Sequence, residues 1–128
     1  MLSGFGMAMA LATVYVIPSK FEPAFWLPIF IVCAIAIAKR APSRYFLHGL
    51  TVSLVNCLWI TTAHVALYDA YAATHADEVA MMTSANFASP RVMMALTGPV
   101  IGLISGIVLG LFSLLASKFV KPEPTVAR

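Results

Sequence analysis

Between Arg91 and Lys118 the chain carries no ionisable side chain. About 20 apolar residues suffice to cross the roughly 30 Å hydrocarbon core of a bilayer. A segment in that core must be helical, because no water is there to satisfy its backbone N–H and C=O groups. Within this run Gly98, Gly102, Gly106 and Gly110 fall every fourth residue. Glycine inside a helix costs about 1 kcal/mol relative to alanine. Four in register therefore call for a compensating contact, and small residues at this spacing let two helix backbones approach closely. A four-residue step drifts by about 40° per repeat on a straight helix. The row thus winds across the helix surface and favours a right-handed crossing. Pro99 removes one helical hydrogen bond and predicts a bend beside Gly98.

The rest of the chain agrees with a membrane protein. It is 61% hydrophobic and 10% charged, whereas a soluble domain is about a quarter charged. The net charge of +3 comes from short clusters flanking apolar runs, where they meet lipid headgroups. It is no nucleic-acid signature. The pattern predicts an all-α integral membrane four-helix bundle, a single domain with spans at residues 2–17, 24–38, 44–68 and 90–119. Pro18, Ser19 and Lys20 end the first. Lys39 and Arg40 stop the second, which is short and relies on Phe21, Trp26 and Lys39 as interfacial anchors. Pro28 lies in its first turns. Ser43 is the expected N-cap of the third. Ser89 followed by Pro90 is a start signal for the fourth. No Lys or Arg precedes the first apolar run, so it reads as a retained span rather than a cleaved signal peptide.

Lys39, Arg40, Arg44, Lys118, Lys121 and Arg128 fall on one side of this arrangement, Lys20 and Arg91 on the other. The positive-inside rule then puts both termini in the cytoplasm of a multi-pass protein, which an even number of spans requires. The polar segment 69–89 lies outside. Helix formers dominate it, so the third helix is expected to continue past the membrane and turn near residues 84–89.

At roughly 100° per residue, Ser53, Asn56, Cys57, Ile60, His64, Tyr68, Tyr71 and His75 share one stripe about 120° wide. A lone amide such as Asn56 is costly in hydrocarbon, so this stripe should face the bundle interior or a subunit interface. Its polar groups are either interhelical glue or the lining of a pathway or pocket. Ser53, Asn56, His64 and Tyr68 are the candidates for the second role. No charged residue sits deep in any span, which argues against a proton-coupled antiporter. Cys33 and Cys57 lie in apolar runs, where thiols act as small hydrophobes.

No motif identifies chemistry. GxSxG, Walker and HExxH patterns are absent, and no catalytic residue is assigned. His64, Asp69, His75, Asp77 and Glu78 are metal-ligand types on the outer side, but their spacing fits no ligand motif. His48 and His64 lie about 24 Å apart along one helix, too far for one haem. No metal or cofactor is expected. The glycine row of the fourth span is expected to pack on the small row Gly4, Ala8 and Ala12 of the first, or on its own copy in a second subunit, which implies self-association.

The stretches RYFLHGLTVSLVNCLW and SPRVMMALTGPVIGLISGIVLGLFSLLASKFVK, with Tyr68 and Asp69 between them, resemble the DUF4199 group of small four-span bacterial membrane proteins of unknown function. The resemblance covers roughly residues 44–121. It implies four spans and a bacterial inner membrane, and brings no activity and no site residues. The expected role is a non-enzymatic assembly, regulatory or scaffold protein. The alternatives are an oligomeric channel or carrier for a small solute, and a membrane enzyme or metal-binding protein using the outer polar cluster.

Overall fold

A computed structural model describes residues 2–121, so Arg128 lies outside the described residues. The regular structure among them is helical throughout: α1 (Ser3–Tyr15), α2 (Glu22–Arg40), α3 (Tyr45–Ala66), α4 (Tyr68–Thr74), α5 (Ala76–Ser84) and α6 (Pro90–Phe119), with a short 3-10 turn at Ser19–Phe21. Three helices, α2, α3 and α6, are long and apolar enough to cross a membrane. With 13 residues, α1 extends only about 20 Å.

Local signals explain most boundaries. α6 starts at Pro90 after an extended Ser89, although the Ser89 side chain makes no capping bond. Ser43 does not cap α3. Arg44 is the N-cap, in the left-handed region at φ 53°, again without a side-chain cap. The outer segment is helical but not continuous with α3. It breaks at Leu67 (φ −103°, ψ 34°) and at His75 (φ −129°, ψ 46°). These two breaks fold α4 and α5 back over the bundle. Asn86 then turns the chain into α6 with φ 49°, a conformation that asparagine tolerates well.

α3 and α6 form the most extensive helix pair, and the glycine row lies in their seam. A Cβ at Gly98 would collide with Thr61. One at Gly102 would lie 2.6 Å from Cys57 Sγ, one at Gly106 2.7 Å from Leu50 Cδ1, and one at Gly110 2.6 Å from Phe46 Cδ2. The partner is thus α3 of the same chain. This corrects the expectation of α1 or a symmetry mate. Gly4 has nothing within 4 Å of its hypothetical Cβ, and Gly4 and Ala8 are exposed. The reason lies in two solitary glycines that no periodic pattern marks. A Cβ at Gly49 of α3 would lie 2.8 Å from Gly110 Cα, so the two backbones meet glycine to glycine. A Cβ at Gly6 of α1 would lie 2.7 Å from Asn56 Cα, so α1 docks on α3 through Gly6 rather than through Gly4, Ala8 and Ala12.

α1 packs chiefly on α3 and α2 chiefly on α6. Consecutive helices usually neighbour each other, yet α1 and α2 are scarcely in contact. They flank the α3–α6 pair on separate sides. Near the basic end, Cys33 and Ala34 of α2 pack on Leu109 of α6, with Leu2, Val52 and Phe112 around them. At the opposite end, Val14 of α1, Tyr71 of α4 and Met94 of α6 form a second cluster. Between these clusters the outer half of α2 stands off from α1 and α3. The outward faces are apolar, as Phe25, Ile31, Leu103 and Leu115 illustrate.

Candidate functional site

The space left by α2 is a cavity of about 660 Å³. One wall is α2, with Pro23, Trp26 and Phe30. The facing wall is the α3 stripe, with Ser53, Asn56, Cys57, Ile60 and His64. α6 closes a third side with Met94, Thr97, Gly98, Ile101, Gly102 and Ser105. Thr13 of α1, Tyr71 of α4, and Glu78, Met81 and Met82 of α5 complete the outer end, together with Glu22. Pro23, Met81, Thr97 and Ile101 are exposed, so the cavity is open rather than sealed.

Its polar groups fall into two sets. Deep in the bundle, the Ser53 hydroxyl donates to the Gly102 carbonyl at 3.3 Å and the Cys57 thiol donates to the Gly98 carbonyl at 2.9 Å. Both bonds bridge α3 and α6 where the missing side chains of the glycines expose backbone. Asn56 is only 5% exposed and its Oδ1 has no hydrogen-bond donor. Such an acceptor costs about 1–3 kcal/mol when buried unpaired.

The outer set is a relay of ring contacts. The Thr13 hydroxyl donates to the Met9 carbonyl at 2.9 Å, so it accepts from His64 Nε2–H at 2.8 Å. The His64 and Tyr71 rings lie 4.6 Å apart, and the Tyr71 and His75 rings stack at 4.1 Å. The Thr74 hydroxyl donates to the Val14 carbonyl at 3.0 Å and accepts from His75 Nδ1 at 2.8 Å. His75, 1% exposed, then presents Nε2 to Glu22 Oε1 at 3.6 Å. That is longer than a hydrogen bond, and it is an ion pair when the His75 ring is protonated. This contact ties the α4–α5 cap to the first turn of α2.

Tyr71 reports the local field. Burial, then the nearby Glu78 and Glu22 carboxylates, push its phenol up to about 12. The raised value means that the fold favours the neutral phenol. This contribution is present below the unfolded value of about 10 and is lost as pH rises from there through about 12. Of the four tyrosines, one should therefore resist ionisation in an ultraviolet titration until near pH 12. Tyr71→Phe should remove that late transition. A late transition that persists in the variant would refute the assignment. The Thr13–His64 bond gives a second expectation: Thr13→Val should cost about 0.5–1.5 kcal/mol, the usual range for a hydrogen bond between membrane helices. Thermal unfolding in detergent reads it, and an unchanged midpoint would show that the bond contributes nothing.

Of the expected candidates, Ser53, Asn56 and His64 line the cavity and Tyr68 does not. Tyr71, which the expected stripe also includes, takes the inward position. Tyr68 instead lies under the Arg91 guanidinium, 5.0 Å from its ring centroid. Arg91 also pairs with Asp69 at 3.3 Å in an exposed position, worth little. The expected outer polar cluster is therefore divided. His64 and His75 join the relay and Glu78 the cavity, while Asp69 and Asp77 stay on the surface. Among the described residues no three His, Cys, Asp or Glu side chains are grouped to hold a metal. Cys33 and Cys57 are free thiols, one beside Leu109 and the other beside Gly98. Glu22, Trp26 and Thr13 had no signal in the sequence as lining residues, because their positions depend on how α2 and α1 are splayed. No protein-family model, curated protein or solved structure matches the chain.

Proposed function

We propose that this chain is a small four-span protein of a bacterial inner membrane, with both termini cytoplasmic, that receives a small amphipathic molecule in the cavity beside α3. The cavity carries the proposal. A pocket of about 660 Å³ lies in the usual range for small-molecule sites, which are mostly apolar with a few convergent polar groups. Here the apolar body of a ligand meets Trp26, Phe30, Ile60 and Met94, and its polar end meets His64, Tyr71 and Glu22. A scaffold or assembly role needs no such open interior. A carrier for a small solute is the form of this reading that suits an open, lipid-accessible pocket. The glycine row supplies no argument for a second subunit, since α3 fills it. In this reading α1 is a short fourth span that covers the outer part of α3. The charge asymmetry supports the orientation, because Lys39, Arg40, Arg44 and Lys118 gather at one end of the bundle.

Native mass spectrometry of the protein released from mild detergent tests the reading. One small molecule per chain should be retained, after purification or after incubation with a membrane lipid extract. A bare chain under both conditions would refute it.

A further inference from the structure

A second hollow lies along the other half of α2, in the groove between α2 and α6, with a volume of about 280 Å³. Every side chain that lines it is apolar. The buried Ala34 and the half-buried Ala116 form its floor, and their small size keeps it open. Ile31 and Ile35 of α2 and Leu115 and Phe119 of α6 stand exposed at its rim. Residues 22–30 of α2 share the cavity with residues 94–105 of α6, and residues 31–35 share the groove with residues 112–119. The two helices therefore run the same way, and both walls of the groove end at the basic end. Lys39 follows Ile35 by four residues and Lys118 follows Leu115 by three. Each lysine thus lies within about 60° of its groove neighbour, one turn further along. Lys39, Arg40, Lys118 and Lys121 are all exposed. The described carboxylates, Glu22, Asp69, Asp77 and Glu78, belong to the opposite end, so none of them pairs with these cations.

An apolar slot that opens onto unpaired ammonium groups matches an amphipath with a negative head. A second copy of the chain, inserted with the same topology, would bring its own Lys39 and Lys118 to the same depth, like charge against like charge. A hydrocarbon chain ending in a phosphate satisfies both features. We propose that the α2–α6 groove holds one anionic phospholipid, with an acyl chain along Ile31, Ile35, Leu115 and Phe119 and the phosphate between Lys39 and Lys118. This site is separate from the cavity, and each can fail without the other.

Quenching by brominated lipids tests it. Phe119→Trp in a Trp26→Phe, Trp59→Phe background puts the one remaining indole in the groove. Phe119, Lys39 and Lys118 are exposed, so changes there leave the packed α3–α6 seam untouched. The full chain is reconstituted in phosphatidylcholine vesicles that contain equal fractions of either dibrominated phosphatidylglycerol or dibrominated phosphatidylcholine. The phosphatidylglycerol should bind beside the indole about ten-fold or more in preference to the phosphatidylcholine. Lys39→Gln and Lys118→Gln should each reduce that preference by about five-fold, the scale of one basic residue beside an anionic headgroup. Lys20→Gln with Arg91→Gln, which removes two charges from the opposite end, should leave it unchanged. A second reporter, Leu47→Trp in the same background, samples an exposed face of α3 one turn from Arg44, also at the basic end. Its preference should be the weaker. Equal preference at Leu47→Trp and Phe119→Trp would mean that the basic end gathers anionic lipid without a site, and would overturn the proposal. So would equal quenching by the two lipids, or a full preference surviving in both lysine variants. An indole at residue 119 that neither lipid quenches would show the groove covered by another chain, which overturns it as well.

Discussion

Gly49→Leu should unfold the bundle in detergent at temperatures where Gly4→Leu remains native. At Gly49 the obstacle is backbone: a Cβ would lie 2.8 Å from Gly110 Cα and N and from Leu109 O. A flexible neighbour can swing aside, but a helix backbone must move as a whole. Overpacking a tight core costs about 1–3 kcal/mol, and a leucine wedged between two backbones belongs at or above the top of that range. Gly106→Leu should cost less. Its first obstacle is Leu50 Cδ1 at 2.7 Å, the end of a flexible side chain, with the Leu50 carbonyl behind it at 3.3 Å. Leu103→Ile, on an exposed face, and Gly4→Leu, with open space around it, should be nearly neutral. Thermal midpoints of the four variants check the order. Equal midpoints for Gly49→Leu and Gly4→Leu would show that the α3–α6 seam is not the tight contact described.

Ser105→Trp should separate stability from binding. Ser105 lines the cavity from α6, and among the described residues its hydroxyl makes no hydrogen bond that the substitution would break. An indole there occupies open space, and cavity filling usually stabilises by about 0.5–2 kcal/mol. The thermal midpoint of the empty protein should hold or rise while the retained small molecule disappears from the native mass spectrum. A scaffold would show the first change without the second, because it has nothing to lose. Retention of the same ligand mass in the variant would place the binding site elsewhere.

These contrasts show which parts of the molecule were legible in the chain. The start of α6 was, because Pro90 fixes its own backbone at the first helical position, although Ser89 makes no capping bond. The closeness of the glycine face was as well, since a helix row that omits side chains implies a near neighbour. Its identity was not. Gly49 and Gly6 are single residues without a periodic signal, and only their meeting with Gly110 and Asn56 gives them a role. The α3 stripe placed Ser53, Asn56, His64, Tyr71 and His75 inward, and of the four pocket candidates Tyr68 lies away from the cavity, under Arg91. The break at Leu67 beside it is set by tertiary packing on Val14 and Met94 rather than by local propensity. The cavity itself is a property of spacing between helices. Hydropathy assigns Trp26 and Phe30 to a span but cannot tell whether the next helix touches them.

The manner in which α2 is held has a mechanical consequence. Its basic end is anchored by Cys33, Ala34 and Ile37 in packed surroundings, whereas at its far end the described tie to the cap is His75 to Glu22 at 3.6 Å. Such a rod behaves as a lever with its fulcrum near Ala34 and this contact as a latch at the tip. Pro28 lacks the N–H that would bond back to Ala24, which softens the shaft between fulcrum and latch. Backbone amides around Trp26 and Phe30 should therefore exchange with deuterium sooner than those around Ile37, and His75→Ala should widen that gradient by freeing the tip. A uniform exchange rate along α2 would mean that the helix is clamped along its whole length. The contact between His75 and Glu22 acts at the end of a long arm, where a small force produces the largest displacement.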